Sequence, residues 1–312
     1  MGLAEAVLQG SSLAVARLIS LVEDRSDEAV PILRALHPHT GRGYVVGVTG
    51  PPGAGKSTLI DALVRVVRRD GRRIGIVAID PTSPFTGGAI LGDRIRMQDH
   101  STDPGVFVRS MATRGHLGGL APATSGVVEV LDAYGCELIL VETVGTGQAE
   151  VDVIGTADTV MVVTVPHLGD GVQTLKAGVM EIGDLFVVNK ADRGDADRTA
   201  TEIKMMLGLA PDRGGWRPPV LLTAATDGTG IPEVIRAIED HHAYQDARGL
   251  LSERRLARRR REILRIVEER LRTRVLGPAG DRHLDALAQR VTRGELDSYA
   301  AADALLAEAG IR

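Results

Sequence analysis

Between Tyr44 and Thr223 the chain alternates short, almost wholly apolar runs with stretches of helical period. The runs are Tyr44–Thr49, Arg73–Ile79, Val106–Val108, Glu137–Val141, Thr159–Val165, Leu185–Asn189 and Val220–Thr223. They are continuous rather than alternating, the pattern of strands buried on both faces by helices. Helices are predicted over Ser57–Arg69, Thr124–Ala133, Gln173–Ile182, Thr199–Leu207 and Ile231–Tyr244. Strands alternating with helices imply an α/β, doubly wound, mainly parallel sheet with right-handed crossovers.

The flanks read as helical. Leu13, Ala16, Leu18, Leu21 and Val22 suggest one apolar stripe, and Ala29–Leu36 a second short helix ending before His37-Pro38. Beyond about residue 247 the strands stop. Ser252–Leu276 predicts a long helix, roughly 37 Å by the helical rise, with Leu256, Ile263, Leu264, Val267, Leu271 and Val275 on one side. Gly277-Pro278 ends it, and Leu284–Arg293 and Leu296–Ala309 follow as amphipathic helices. The expected organisation is a helical extension over 1–42, a nucleotide-binding domain over 43–246 and a helical arm over 247–312.

Composition narrows the function classes. The 37 Lys and Arg against 41 Asp and Glu give a net charge of -4, which removes the global positive field expected of a nucleic-acid binder. With only 3% aromatic residues, the core must rest on Val, Ile, Leu and Ala. One cysteine, Cys136, forbids an intrachain disulfide and a CxxC metal pair. Met1–Leu21 lacks a basic segment followed by an apolar core, and no apolar run approaches a membrane span. A cytoplasmic protein with no membrane and no nucleic-acid partner is expected.

The strongest chemical signal is Gly50-Pro51-Pro52-Gly53-Ala54-Gly55-Lys56-Ser57-Thr58, a complete GxxxxGK[ST] between an apolar run and a helical one. Its glycines let backbone N–H groups wrap a phosphate at a helix N-terminus, where the dipole favours negative charge. Lys56 would reach the β and γ phosphates and Ser57 would ligate Mg2+.

Asn189-Lys190-Ala191-Asp192 closes the run Leu185–Asn189. A carboxylate there accepts from both N1–H and the 2-amino group of guanine, whereas adenine would leave it buried and unpaired. The nucleotide expected is therefore GTP, with GDP as product. Thr223-Ala224-Ala225 sits where a backbone contact to the guanine oxygen would come.

Glu142-Thr143-Val144-Gly145 follows the run Glu137–Val141, where Ras-like enzymes carry Asp-x-x-Gly. Thr146 stands where Ras has its water-positioning Gln, so another group must orient the attacking water. Asp80, in Asp80-Pro81-Thr82-Ser83, and Asp93, in Gly92-Asp93-Arg94, are the two candidates, on a stretch containing Gly87-Gly88.

Together these segments resemble the methylmalonyl-CoA mutase-associated GTPases, the MeaB group, some of whose bacterial members were once labelled arginine/ornithine transport kinases. The matching stretches are GPPGAGKST, IDPTSPFTGGAILGDRIRM, RSMATRGHLGGL, VETVGTGQAEVDV and VPHLGDGVQTLKAGVMEIGDLFVVNKAD. The resemblance spans about residues 1–310 and is most specific over 44–192. It implies a P-loop GTPase domain whose third motif carries Glu, and a chaperone of an adenosylcobalamin-dependent acyl-CoA mutase that gates cofactor loading from an adenosyltransferase. Carried over by motif, Lys56 and Ser57 hold phosphate and metal; Asp80, Asp93 and Glu142 are the magnesium and switch acids; Asn189, Lys190 and Asp192 read guanine. Val165–Lys176 matches an extra switch segment, and the C-terminal helices match a dimerisation arm, which implies a homodimer. Thr82 stands where the family commonly has Ser, and His167-Leu168 replaces a more glycine-rich stretch.

Two other readings stay open on the residues alone. A metallochaperone GTPase would call for a Cys- or His-rich motif, and a kinase of a transport protein would call for ATP, against the Asn-Lys-x-Asp signal. The six arginines between Arg254 and Arg261 lack interleaved aromatics and read as a solvated or partner-facing helix surface. Cys136 reads as a small buried side chain, His116 has no neighbouring ligand residue in the sequence, and Trp216 has no assignable role.

Overall fold

The fold is described from a computed structural model, for residues 2–80, 100, 102–112, 121–143, 155–166, 177–209, 215–276 and 280–311. Three helices come first: α1 (Leu3–Leu8), α2 (Ser12–Glu23) and α3 (Ala29–Leu36). Strands and helices then alternate. β1 is Tyr44–Thr49, α4 Lys56–Arg69, β2 Ile74–Asp80, β3 Val106–Ala112, α5 Ala121–Ala133 and β4 Leu138–Glu142. β5 is Thr159–Thr164, α6 Ala177–Ile182, β6 Leu185–Asn189, α7 Ala196–Leu209, β7 Val220–Thr223 and α8 Ile231–Ala247. Helices α9 (Leu250–Val275), α10 (Gly280–Thr292) and α11 (Ser298–Glu308) complete the chain. By packing, Met1–Ser252 forms one compact unit and Glu253–Arg312 a second.

The seven strands form one sheet in the order β3-β2-β4-β1-β5-β6-β7, and every pair is parallel. The chain leaves β1 towards β2 on one side, and after β4 crosses to β5 on the other. The carboxyl end of β1 is thus the switch point where open α/β sheets leave a crevice for ligands.

Successive residues of each strand serve opposite cores, which explains the unbroken apolar runs. Val45, Val77, Ile139, Val141, Val160 and Val162 point into the layer that also contains α2 and α5. Val46, Val48, Ile76, Leu140, Met161 and Val163 point into the layer built with α4 and α8. The N-terminal helices share the first core, through Val7, Val15, Leu18, Ile19 and Leu36. Of the stripe expected on α2, Leu18 and Val22 are buried and Ala16 and Leu21 pack part-buried against the core, whereas Leu13 faces out. Leu13 is 80% exposed, and the buried face is Ala14, Val15, Leu18, Ile19 and Val22. The packed face lies at i, i+1, i+4, i+5 and i+8 and mixes Ala, Val, Leu and Ile, so spacing and not leucine content defines it.

Strand ends also move from the sequence expectation. β2 and β4 each run one residue further, to Asp80 and Glu142, and β3 continues through Arg109 to Ala112. Arg109 is accommodated because its guanidinium pairs with Glu23 of α2 and donates to Ser20 Oγ at 3.1 Å. Cys136 is 1% exposed, and burial pushes its thiol up to about 12, so it is a neutral core side chain at any physiological pH.

At the amino ends of β1, β5 and β6 a buried polar chain ties α8 to the sheet. Gln245 Nε2 donates to the Asp158 carbonyl at 3.0 Å, which turns its Oε1 to accept from the Tyr44 hydroxyl at 3.0 Å. Tyr44 Oη therefore accepts from Thr159 Oγ1, and Thr159 in turn accepts from His241 Nδ1–H at 2.8 Å. Trp216 covers this cluster. Its Nε1 donates to the Asp184 carbonyl at 2.9 Å, and its ring lies 4.6 Å from His241 and 5.1 Å from Tyr244. The single tryptophan is a structural lid on this end of the sheet.

Candidate nucleotide site

The loop after β1 is shaped by three glycines with positive φ: Gly50 at 139°, Gly53 at 77° and Gly55 at 85°. At two of them the neighbours also demand glycine. A Cβ on Gly50 would lie 1.9 Å from the Val163 carbonyl oxygen, and one on Gly55 would lie 2.5 Å from Asn189 Nδ2. Gly55 caps α4, so the first turn of that helix presents its N–H groups to the loop.

Lys56 and Ser57 open α4 and are 6% and 5% exposed. Lys56 Nζ donates to the carbonyls of Gly50 at 2.8 Å and Pro51 at 3.1 Å, which arches the loop over the ammonium. Ser57 Oγ donates to Glu142 Oε1 at 2.8 Å across the β1–β4 boundary. A cavity of about 380 Å³ is bounded by the loop, Lys56 to Thr58, Ile79, Glu142, Thr143 and Lys190. Buried ammonium, helix amides and an arched loop suit an anion; the adjoining hard oxygens suit a magnesium ion bound with it.

Asn189 links this cradle to the next loop. Its Nδ2 donates to the carbonyls of Ala54 (3.0 Å) and Gly55 (3.4 Å). Its Oδ1 accepts from Thr223 Oγ1 at 3.1 Å and from the Ala225 N–H at 3.2 Å. Lys190 takes a left-handed backbone, φ 59°, and its Nζ donates to the Gly53 carbonyl at 2.8 Å. Thr223, Ala224 and Ala225 are buried at the end of β7. Asp192 lies exposed in the short turn Ala191–Arg193 and does not line the cavity.

The structure thus brings together Gly50 to Thr58, Glu142, Asn189, Lys190 and the Thr223–Ala225 loop. Asp80 ends β2, paired in register with Ala112. Asp93, His116, Gly145 and Gln148 lie outside the described residues, as do residues 167–176 of the extra switch segment. Thr143 is a site residue that sequence reasoning passed over. Its hydroxyl donates to Thr49 Oγ1 at 3.1 Å, and only the unassigned second letter of Glu-Thr-Val-Gly could have pointed to it.

Comparison with known proteins decides the family. The family described as Methylmalonyl Co-A mutase-associated GTPase MeaB matches residues 15–279. The chain belongs to the MeaB family of GTPases. A Pyrococcus abyssi GTPase is 53% identical over 309 residues, covering 98% of this chain and 95% of its own length. The GTPase ArgK of Escherichia coli is 35% identical over 253 residues, covering 78% of this chain and 76% of its own. Among solved structures, a LAO/AO transport system kinase superposes with a TM-score of 0.72 at 26% identity, covering 97% of this chain and 95% of that one. This MeaB-family chain is a P-loop GTPase, and its all-parallel sheet with flanking helices is the fold of that relative. Among the described residues no helix is long and apolar enough to cross a membrane.

Proposed function

We propose that this GTPase requires Mg2+ and serves as the chaperone of an adenosylcobalamin-dependent acyl-CoA mutase, its GTP cycle gating loading, protection and renewal of the mutase's cofactor. The observation that carries the proposal is the family match over residues 15–279, whose description names the mutase. A mouse relative, 33% identical over 269 residues, is named a methylmalonic aciduria type A homolog. The arginine/ornithine kinase label of some relatives finds no support in a base loop of Asn-Lys-x-Asp form.

Within the site, Ser57 and Glu142 would hold the magnesium ion, with Asp80 and Asp93 as the further acids expected from the sequence. The ion would offset charge on the β and γ phosphate oxygens. Lys56 supplies a fixed cation that has already exchanged water for the Gly50 and Pro51 carbonyls, so little reorganisation attends phosphate binding. No glutamine follows Gly145, so slow hydrolysis by the isolated chain and acceleration by the mutase are the expected behaviour. Phosphate release measured with and without an acyl-CoA mutase from the same genome tests this. A rate the mutase leaves unchanged, with no complex on size-exclusion chromatography, would refute the partner.

Asp192 is assigned to guanine. Its exposed carboxylate, beside the pinned Asn189, is free to meet N1–H and the 2-amino group of the base. Asp192→Asn keeps one acceptor and loses the other, so selectivity for GTP over ATP should fall by roughly tenfold to a hundredfold, the scale of one charge-assisted hydrogen bond. Full selectivity in that variant would contradict the role.

The C-terminal unit is assigned to homodimerisation. On α9 it carries Leu256, Ile263, Leu264, Val267 and Leu271, which are 44–62% exposed, a stripe that a second copy would bury. Val267→Asp should sediment as a monomer; an intact dimer would place the interface elsewhere.

A further inference from the structure

Thr143 stands one residue beyond the end of β4, where the chain leaves the sheet. Its N–H donates to the Val48 carbonyl at 3.0 Å, which carries the pairing of β4 with β1 one residue past the strand end. Its hydroxyl lies 3.4 Å from the same Val48 carbonyl and 3.1 Å from Thr49 Oγ1, the nearer acceptor. Thr49 and Thr143 are 0% and 1% exposed, so this contact is shielded from competing water.

Those two hydroxyls complete a closed ring. From Thr49 the backbone runs through Gly50, the phosphate loop and Lys56 to Ser57. Ser57 Oγ donates to Glu142 Oε1 at 2.8 Å. Glu142 is bonded to Thr143, and Thr143 returns to Thr49. The carboxylate is therefore held at two places. Its tip is held by Ser57, a residue of the ligand site itself, whose surroundings change with occupancy. Its root is held by the Thr49–Thr143 contact, which involves no ligand-facing oxygen of Ser57, Lys56 or Glu142.

We propose that the Thr49–Thr143 hydroxyl pair is a positioning device that fixes the backbone from which Glu142 reaches the metal, and so sets the magnesium requirement of the GTPase. The proposal rests on the assignment of Glu142 to the metal made above. Thr143 borders the cavity, but its hydroxyl is turned to Thr49, so its effect on the metal is exerted through Glu142. β-Branching gives both threonines stiff side chains, and the hydroxyl pair adds the distance constraint that valine, of the same shape, would lack.

The test is the magnesium dependence of GTP turnover in Thr143→Val, Thr143→Ser, Thr49→Val and the double valine variant, beside Glu142→Gln. In Thr143→Val the half-saturating magnesium concentration should rise about three- to tenfold, the range of one neutral hydrogen bond. GDP affinity measured in EDTA should stay at the wild-type value. Thr143→Ser should restore the wild-type requirement, Thr49→Val should reproduce the shift, and the double variant should be no worse than either single one, as expected when both remove the same contact. If Thr143→Val does not fold, Thr49→Val carries the same comparison. A wild-type magnesium curve in the valine variants overturns the positioning role, as does an equal loss of GDP affinity in EDTA, which would mean the pair merely supports the cradle. If Glu142→Gln also keeps the wild-type curve, the metal assignment itself fails.

Discussion

Replacing Lys56 by alanine should lower GTP turnover by about 10²–10³-fold, the usual effect of removing one preorganised charge-stabilising donor from a phosphoryl- or acyl-transfer site. The ammonium is the buried cation of the phosphate cradle, and α4 has only its helix dipole to replace it. That dipole is worth roughly half a charge and is spread over the first turn, too diffuse to follow charge as it develops on the leaving oxygen. The loss should fall mainly on kcat, because the helix amides and the Asn189 loop still hold nucleotide. The fold should survive, since the space left by the side chain opens on the cavity and admits water to the Gly50 and Pro51 carbonyls. Phosphate release under saturating GTP is the measurement. Turnover within a few-fold of wild type would remove Lys56 from the chemistry and with it the placement of the phosphates.

Replacing Gly50 by alanine should fail at an earlier stage, in the fold. The new Cβ would sit 1.9 Å from the Val163 carbonyl oxygen, on a residue whose φ is 139°. Val163 is inside β5, in register with Val187 of β6, so its carbonyl cannot retreat without breaking the sheet. Backbone strain alone costs about 1–3 kcal/mol, and the clash adds to it. A loss of about 3 kcal/mol or more is expected, which for a unit of this size lowers the melting temperature by roughly 6–12 °C. Thermal unfolding with and without GDP reads it directly. A variant melting within a degree of wild type would show that the loop does not approach β5 as described. Gly53, whose Cβ would meet nothing within 4 Å, should tolerate alanine far better, so the contrast separates close approach from conformational freedom.

The sheet was legible because burial on both faces leaves no polar alternation, and seven apolar runs separated by helical stretches admit few other folds. The loop after β1 was legible as a turn opening a helix because GxxxxGK[ST] constrains residue type at fixed spacing, whereas Asp192, expected at the base, stands exposed outside the cavity. What was misread lies where a local pattern met a tertiary partner. The strand ends were drawn short at Ile79 and Val141 because Asp80 and Glu142 break the apolar run, yet those acids belong to the strands and Glu142 faces the cavity. β3 runs past the apolar run Val106–Val108 because Arg109 finds its partner Glu23 on a helix 86 positions away. On α2, leucine count outweighed geometry and Leu13 was placed inside. Thr143 was invisible for a different reason: a threonine beside an acid is unremarkable until β1 and β4 are set side by side.

Trp216 is the only indole in the chain, and it rests beneath the amino ends of β5 and β6, while the candidate nucleotide cavity lies at the carboxyl ends. Strands of five or six residues separate the two by roughly 17–20 Å. Intrinsic emission is therefore expected to follow the packing of His241 and Tyr244 around the indole, with little response to unlabelled nucleotide. A guanine nucleotide carrying a dye that absorbs indole emission should quench Trp216 by energy transfer at that separation, so occupancy is best read from a label excited and detected away from the indole band.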